Sequence, residues 1–136
     1  MENKEKMYQI NVSAMEYQKE WNILYTLAQD LQQSHIPFKV DGKTMIFAHG
    51  LEIPIDKICL TFKWKDEEEV RKFFHCGTAA KSTQSGFKYL DVMFGGMKIR
   101  CMFYGDCPGA DTDEFLYRNT DTVQINNIPI AVQSLQ

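Results

Sequence analysis

No stretch of this 136-residue sequence approaches the roughly 18 consecutive apolar residues of a membrane-spanning helix. The opening MENKEKMYQ is polar and lacks the apolar centre of a signal peptide, so an intracellular, cytoplasmic protein is expected. Positive charge is not in excess. Fifteen Lys and Arg stand against 18 Asp and Glu, a formal net charge of −3. Broad binding of nucleic acid or anionic membranes needs a basic surface, so neither is expected. None of the four cysteines, Cys59, Cys76, Cys101 and Cys107, lies in a CxxC pair. A zinc site built from His75, Cys76, Cys101 and Cys107 would lack the usual close ligand pair, and free thiols are expected instead. The acidic loop GDCPGADTDE, 105–114, could attract a divalent cation through Asp106, Asp111, Asp113 and Glu114. It lacks the alternating acids and twelfth-position glutamate of a calcium loop.

What is present fits one soluble domain with a real core: 44% of residues are hydrophobic and 24% charged. Residues 1–12 read as a charged lead-in with a short possible strand over 8–12, and 13–136 as a single domain. Ser13 and Glu16 have the spacing of a capping box. Ala14, Tyr17, Trp21, Leu24, Ala28 and Leu31 follow at steps of three and four, which predicts a long helix ending near Ser34. A short strand over 38–41 leads through Gly42 into a short helix over 44–49, closed by Gly50. The amides at that helix start, with Lys43, could hold a phosphate; a plain turn with a surface lysine explains the same residues.

The stretch 57–64 alternates. Ile58, Leu60, Phe62 and Trp64 share one face, and Lys57, Cys59, Thr61 and Lys63 the other. Asp66 to Glu69 place acid at the start of a third helix, where the helix dipole favours it, and Val70, Phe73 and Phe74 form its core side. A polar loop over 77–86 follows. Then comes a hairpin over 87–94 and 97–104 on Gly95-Gly96, whose register sets Phe94 opposite Met97 and Asp91 opposite Arg100. A second hairpin, over 121–125 and 128–132, turns on Asn126-Asn127. Pro129 predicts that its last strand lies at a sheet edge, where strand addition or a homodimer could form. The fold class is α+β: a mixed β-sheet with a long N-terminal helix and two further helices packed on it.

The order of these elements, and three strings within it, resemble the nucleotidyltransferase-fold superfamily, especially the small lincosamide and aminoglycoside nucleotidyltransferases. HIPFKVDGKTMIFAHG (35–50) is similar to the family's strand, glycine turn and helix. IPIDKICLTF (53–62) is similar to its strand bearing D-x-D, and NNIPIAVQSLQ (126–136) to its closing segment. The resemblance implies a nucleotidyltransferase-like fold and, in active members, Mg²⁺ held by two carboxylates at i and i+2 and a third from a later strand. Here Gly42 matches the first turn glycine, while Lys43 replaces the small second residue. Lys57 and Cys59 fall at the D-x-D positions, and the third acid falls near Arg100. Asp56 is one residue out of register and is the weak catalytic candidate.

Three readings follow. In the first, a catalytically degenerate protein binds a nucleotide or another anionic ligand through Gly42, Lys43, Thr44, Lys57 and Arg100, with no metal. The second is an active Mg²⁺-dependent transferase using substitute acids such as Asp56, Asp91 or Asp106. The third is a non-enzymatic protein-interaction domain. Against the first stands a structural explanation, in which Lys57 and Lys63 are solvated and Arg100 pairs with Asp91. Cysteine catalysis at Cys59, beside Lys57, lacks a positioned histidine.

Overall fold

The structure is a computed structural model that describes residues 7–107 and 109–135. Alternating and helical stretches become strands β1 (Met7–Ile10), β2 (Lys39–Asp41), β3 (Lys57–Lys63), β4 (Lys81–Ser82), β5 (Lys88–Phe94), β6 (Met97–Tyr104), β7 (Thr120–Ile125) and β8 (Ile128–Gln133). Between them lie helices α1 (Gln18–Gln33), α2 (Gly42–Ala48), α3 (Glu67–Phe73) and α4 (Asp113–Leu116). Among the described residues the strands form one eight-stranded mixed sheet in the order β1-β7-β8-β2-β3-β6-β5-β4. The pairs β1/β7, β2/β8 and β3/β6 are parallel, and the other four are antiparallel.

The alternation of β3 divides the molecule. Ile58, Leu60 and Phe62 lie on one face beside Ile99, Cys101 and Phe103 of β6, and all six are fully buried. Trp21, Leu24, Leu27 and Leu31 of α1 complete this core, with Trp21 stacked on Phe47 of α2 at 4.4 Å. Helix α3 joins the same side through Val70, while Phe74, just past its end, meets Phe94 of β5 edge-on. The opposite face carries the other residues of each strand and is largely polar. Helix α4 and the segments flanking it approach that face. Lys63 donates to Asp113 at 2.5 Å, and the Lys65 amide donates to Asp111 at 3.3 Å.

The β5/β6 hairpin has the register that its sequence predicts, with Phe94 opposite Met97 and Asp91 opposite Arg100. Gly95 and Gly96 have φ of +64° and +84°, the left-handed pair that a two-residue hairpin turn requires. At the second corner Asn126 and Asn127 have φ of +49° and +68°.

Four expectations are corrected. The capping box does not start α1: Asn11 caps a short 3-10 turn at Val12–Ala14, and α1 begins only at Gln18. The two amides just before it are held from a distance. The Glu52 carboxylate accepts from the amides of Glu16 and Tyr17 at 2.7 and 2.9 Å and from the Trp21 indole at 3.2 Å. The strand bearing Pro129 is not at an edge: β8 lies between β7 and β2, and the outer strands are β1 and β4. Pro129 is tolerated because β2 meets β8 only at Val40 and Val132, past the proline, whose carbonyl accepts from the Gln32 side chain at 2.6 Å. The polar loop contains the two-residue strand β4, and the acidic loop runs into the fourth helix, α4, which Thr112 caps.

Candidate functional site

The site is built where β2 runs into α2. Asp41 ends the strand, and its carboxylate accepts from the Gly42 amide at 2.8 Å and from the Thr61 hydroxyl at 3.2 Å. Gly42 has φ of +62°, and a Cβ there would lie 3.0 Å from Cys59 Sγ. Only glycine lets the turn pass this close to β3. Thr44 is fully buried, and its hydroxyl accepts from the Cys59 amide at 2.9 Å and donates to the Lys57 carbonyl at 3.3 Å. It fastens α2 to β3.

Strand register then sets four side chains in a row across the polar face: Asp41, Cys59, Arg100 and Asp91, from β2, β3, β6 and β5. Lys57, Lys98 and Met93 form the next row toward the hairpin turn, and Lys39, Thr61, Met102 and Tyr89 the row on the other side. Arg100 holds Asp91 with two hydrogen bonds of 2.9 Å, and its guanidinium lies 5.0 Å over the Tyr89 ring. The Arg100 contact holds the Asp91 carboxyl below the usual carboxylate range. Lys57 is differently placed. Its ammonium is 3.9 Å from Asp56, whose side chain is 89% exposed. An ion pair that open to water holds the lysine weakly. Burial pushes the Cys59 thiol up, against the pull of Lys57, Thr44 and Arg100. The protonated thiol is therefore favoured over the nucleophilic thiolate.

Of the residues singled out in the sequence, the structure gathers Gly42, Thr44, Lys57 and Arg100 around Cys59. Lys43 is exposed on α2. Asp56, Asp91 and Asp106 do not converge: the first points into solvent, the second is held by Arg100, and the third lies exposed in the loop after β6. Among the described residues no three His, Cys, Asp or Glu side chains are placed to hold a metal ion. Asp111 and Asp113 instead tie their loop to the end of β3.

A cavity of about 330 Å³ opens on the same polar face, beyond Asp41 and beneath α4. Its walls include Lys39, Asp41, Thr61, Tyr104, Phe115 and Leu116. Asp41 and Lys39 are site residues that the motifs do not mark; only alternation continued backward from the turn places both on the face of Cys59 and Thr61.

These features define a nucleotidyltransferase-like α+β fold: a strand, glycine turn and helix leading into a strand of a mixed sheet, with a polar face left open beside it. A solved structure shares this fold. The chain is similar to a crystal structure from Thermotoga maritima described as a "putative nucleotidyltransferase", with a TM-score of 0.69 and 17% sequence identity. The match covers 89% of this chain and 81% of that one. No protein-family model and no curated protein matches the sequence.

Proposed function

We propose that this chain is a catalytically silent protein of nucleotidyltransferase-like fold, binding a nucleotide or another anionic ligand on the polar face around Lys57. One observation carries the reading. The positions that the resemblance reserves for metal-holding carboxylates are Lys57, Cys59 and Arg100, and they are neighbours on one sheet face. Two cations and a buried thiol do not fit Mg²⁺, because an ammonium repels a divalent cation. The same ammonium attracts a phosphate. Lys57 and Lys98 are adjacent in register, whereas Arg100 is committed to Asp91, so the two lysines are the cations available to an incoming anion.

Thermal-shift titration with ATP, GTP, CTP and UTP, each with and without Mg²⁺, tests this. At about 100 times its dissociation constant a ligand adds roughly 2.7 kcal/mol, on the order of 10 °C in a domain of this size. The expected result is a metal-independent shift that Lys57→Glu abolishes. A Mg²⁺-dependent shift would instead favour an active transferase with substitute acids. No shift with any nucleotide would favour an interaction domain.

A further inference from the structure

The cavity beneath α4 has a chemistry unlike that of the Lys57 row. At its floor the half-buried Lys39 ammonium donates to Gln133 Oε1 at 2.7 Å. That partner is neutral. Among the described residues Lys39 has no salt-bridge partner, and the nearby Asp41 carboxylate is already engaged by Gly42 and Thr61. Lys63, on the wall, is neutralised by Asp113. Arg118 at the rim lies with its guanidinium 5.2 Å over the Phe115 ring. Counting Lys39 and Arg118 against Asp41, the lining keeps one net positive charge. Phe115, Leu116 and Ala110 supply an apolar wall. A cavity of about 330 Å³ is at the small end of ligand sites.

We propose that this cavity binds a small monocarboxylic acid with an aromatic or branched body, its carboxylate paired with Lys39 and its body against Phe115 and Leu116. Charge and shape both select this class. A half-buried ammonium with only a neutral acceptor gains most from a single negative charge. A dianion such as phosphate would place its second charge against Asp41 and leave the apolar wall unused. Burial holds the Lys39 pKa below its ordinary value, with Asp41 opposing, and a bound carboxylate offsets that cost. The site does not depend on the reading of Lys57, which does not line the cavity.

The test is an amide-resolved NMR titration of the full chain with sodium benzoate, and with benzamide as its neutral counterpart. The expected result is saturable shifts at Thr61, Leu116 and Asn119, with benzoate binding at least about tenfold tighter than benzamide. Lys39→Met should remove that preference, Phe115→Ala should weaken both probes, and Lys57→Glu should leave the benzoate titration unchanged. Three results would overturn the proposal: no saturable response at those amides, equal affinity of the two probes, or a benzoate response lost in Lys57→Glu. The comparison of benzoate with benzamide on the native chain decides the matter even if Lys39→Met fails to fold.

Discussion

Two carboxylates with opposite shifts show how single residues set the pH response. Glu52 accepts from two amides and an indole, first from Tyr17, and these hydrogen bonds hold its carboxyl below the ordinary range. Its contribution is therefore present above the unfolded pKa and is lost as pH falls through the folded one. Glu52→Gln should lower the melting temperature at pH 7, and the gap to the native chain should close on acidification below the ordinary glutamate range. Asp66 is the reverse. Burial, with Asp111 and Asp113 adding to it against Lys63 and Lys65, pushes its carboxyl up, and one of its oxygens is buried without a partner. A raised carboxyl favours the fold below its unfolded pKa, and that benefit disappears as pH rises through the folded pKa. Asp66→Asn should therefore raise the melting temperature at pH 7 relative to the native chain; an unchanged or lower value would contradict the assignment.

At the scale of elements, legibility followed sequence distance. The β5/β6 hairpin was readable to the exact pairing of Asp91 with Arg100, because alternation and a Gly-Gly turn specify register locally. The start of α1 was not, because the carboxylate that holds the chain just before it, Glu52, lies 35 residues from Tyr17. The local Ser13–Glu16 signal lost to that distant carboxylate. Pro129 misled for a related reason: the proline lacks a donor, but whether a donor was needed depended on the short partner β2. At the site, period-two alternation correctly grouped Lys57, Cys59 and Thr61. It stopped short of Asp41 and Lys39 because β2 is only three residues long. The cavity was out of reach, since it exists only once α4 is tied to the end of β3. The hairpin turn gives a further expectation. A Cβ on Gly95 would sit 3.2 Å from Ile23 Cγ1, on a backbone with φ of +64°. Gly95→Ala should cost about 1–2 kcal/mol in urea unfolding, chiefly for the left-handed conformation.

For the whole molecule, a single core joins α1, α2, α3 and one face of the sheet, and the other face carries the polar rows. Phe62 stands at its centre, fully buried and stacked on Phe103 at 5.6 Å. Phe62→Ala should destabilise the chain by about 3–5 kcal/mol in equilibrium denaturation. Its unfolding should remain one transition, as expected of a single cooperative domain. Such a loss would abolish binding on the polar face only by unfolding the chain, and so it serves as the control against which Lys57→Glu is judged.

The parallel pairing of β1 with β7 also sets a timetable. Met7 is matched with Thr122, 115 residues later in the chain. During synthesis at ~5–20 residues per second, β1 waits on the order of ten seconds before its neighbour exists. Throughout that interval its backbone donors and acceptors are open to whatever else is nearby, and the growing chain is most exposed to mispairing at β1. Pairing of β1 is thus deferred until β7 has been made, and an elongation pause after β6 would lengthen the vulnerable period without altering the finished fold.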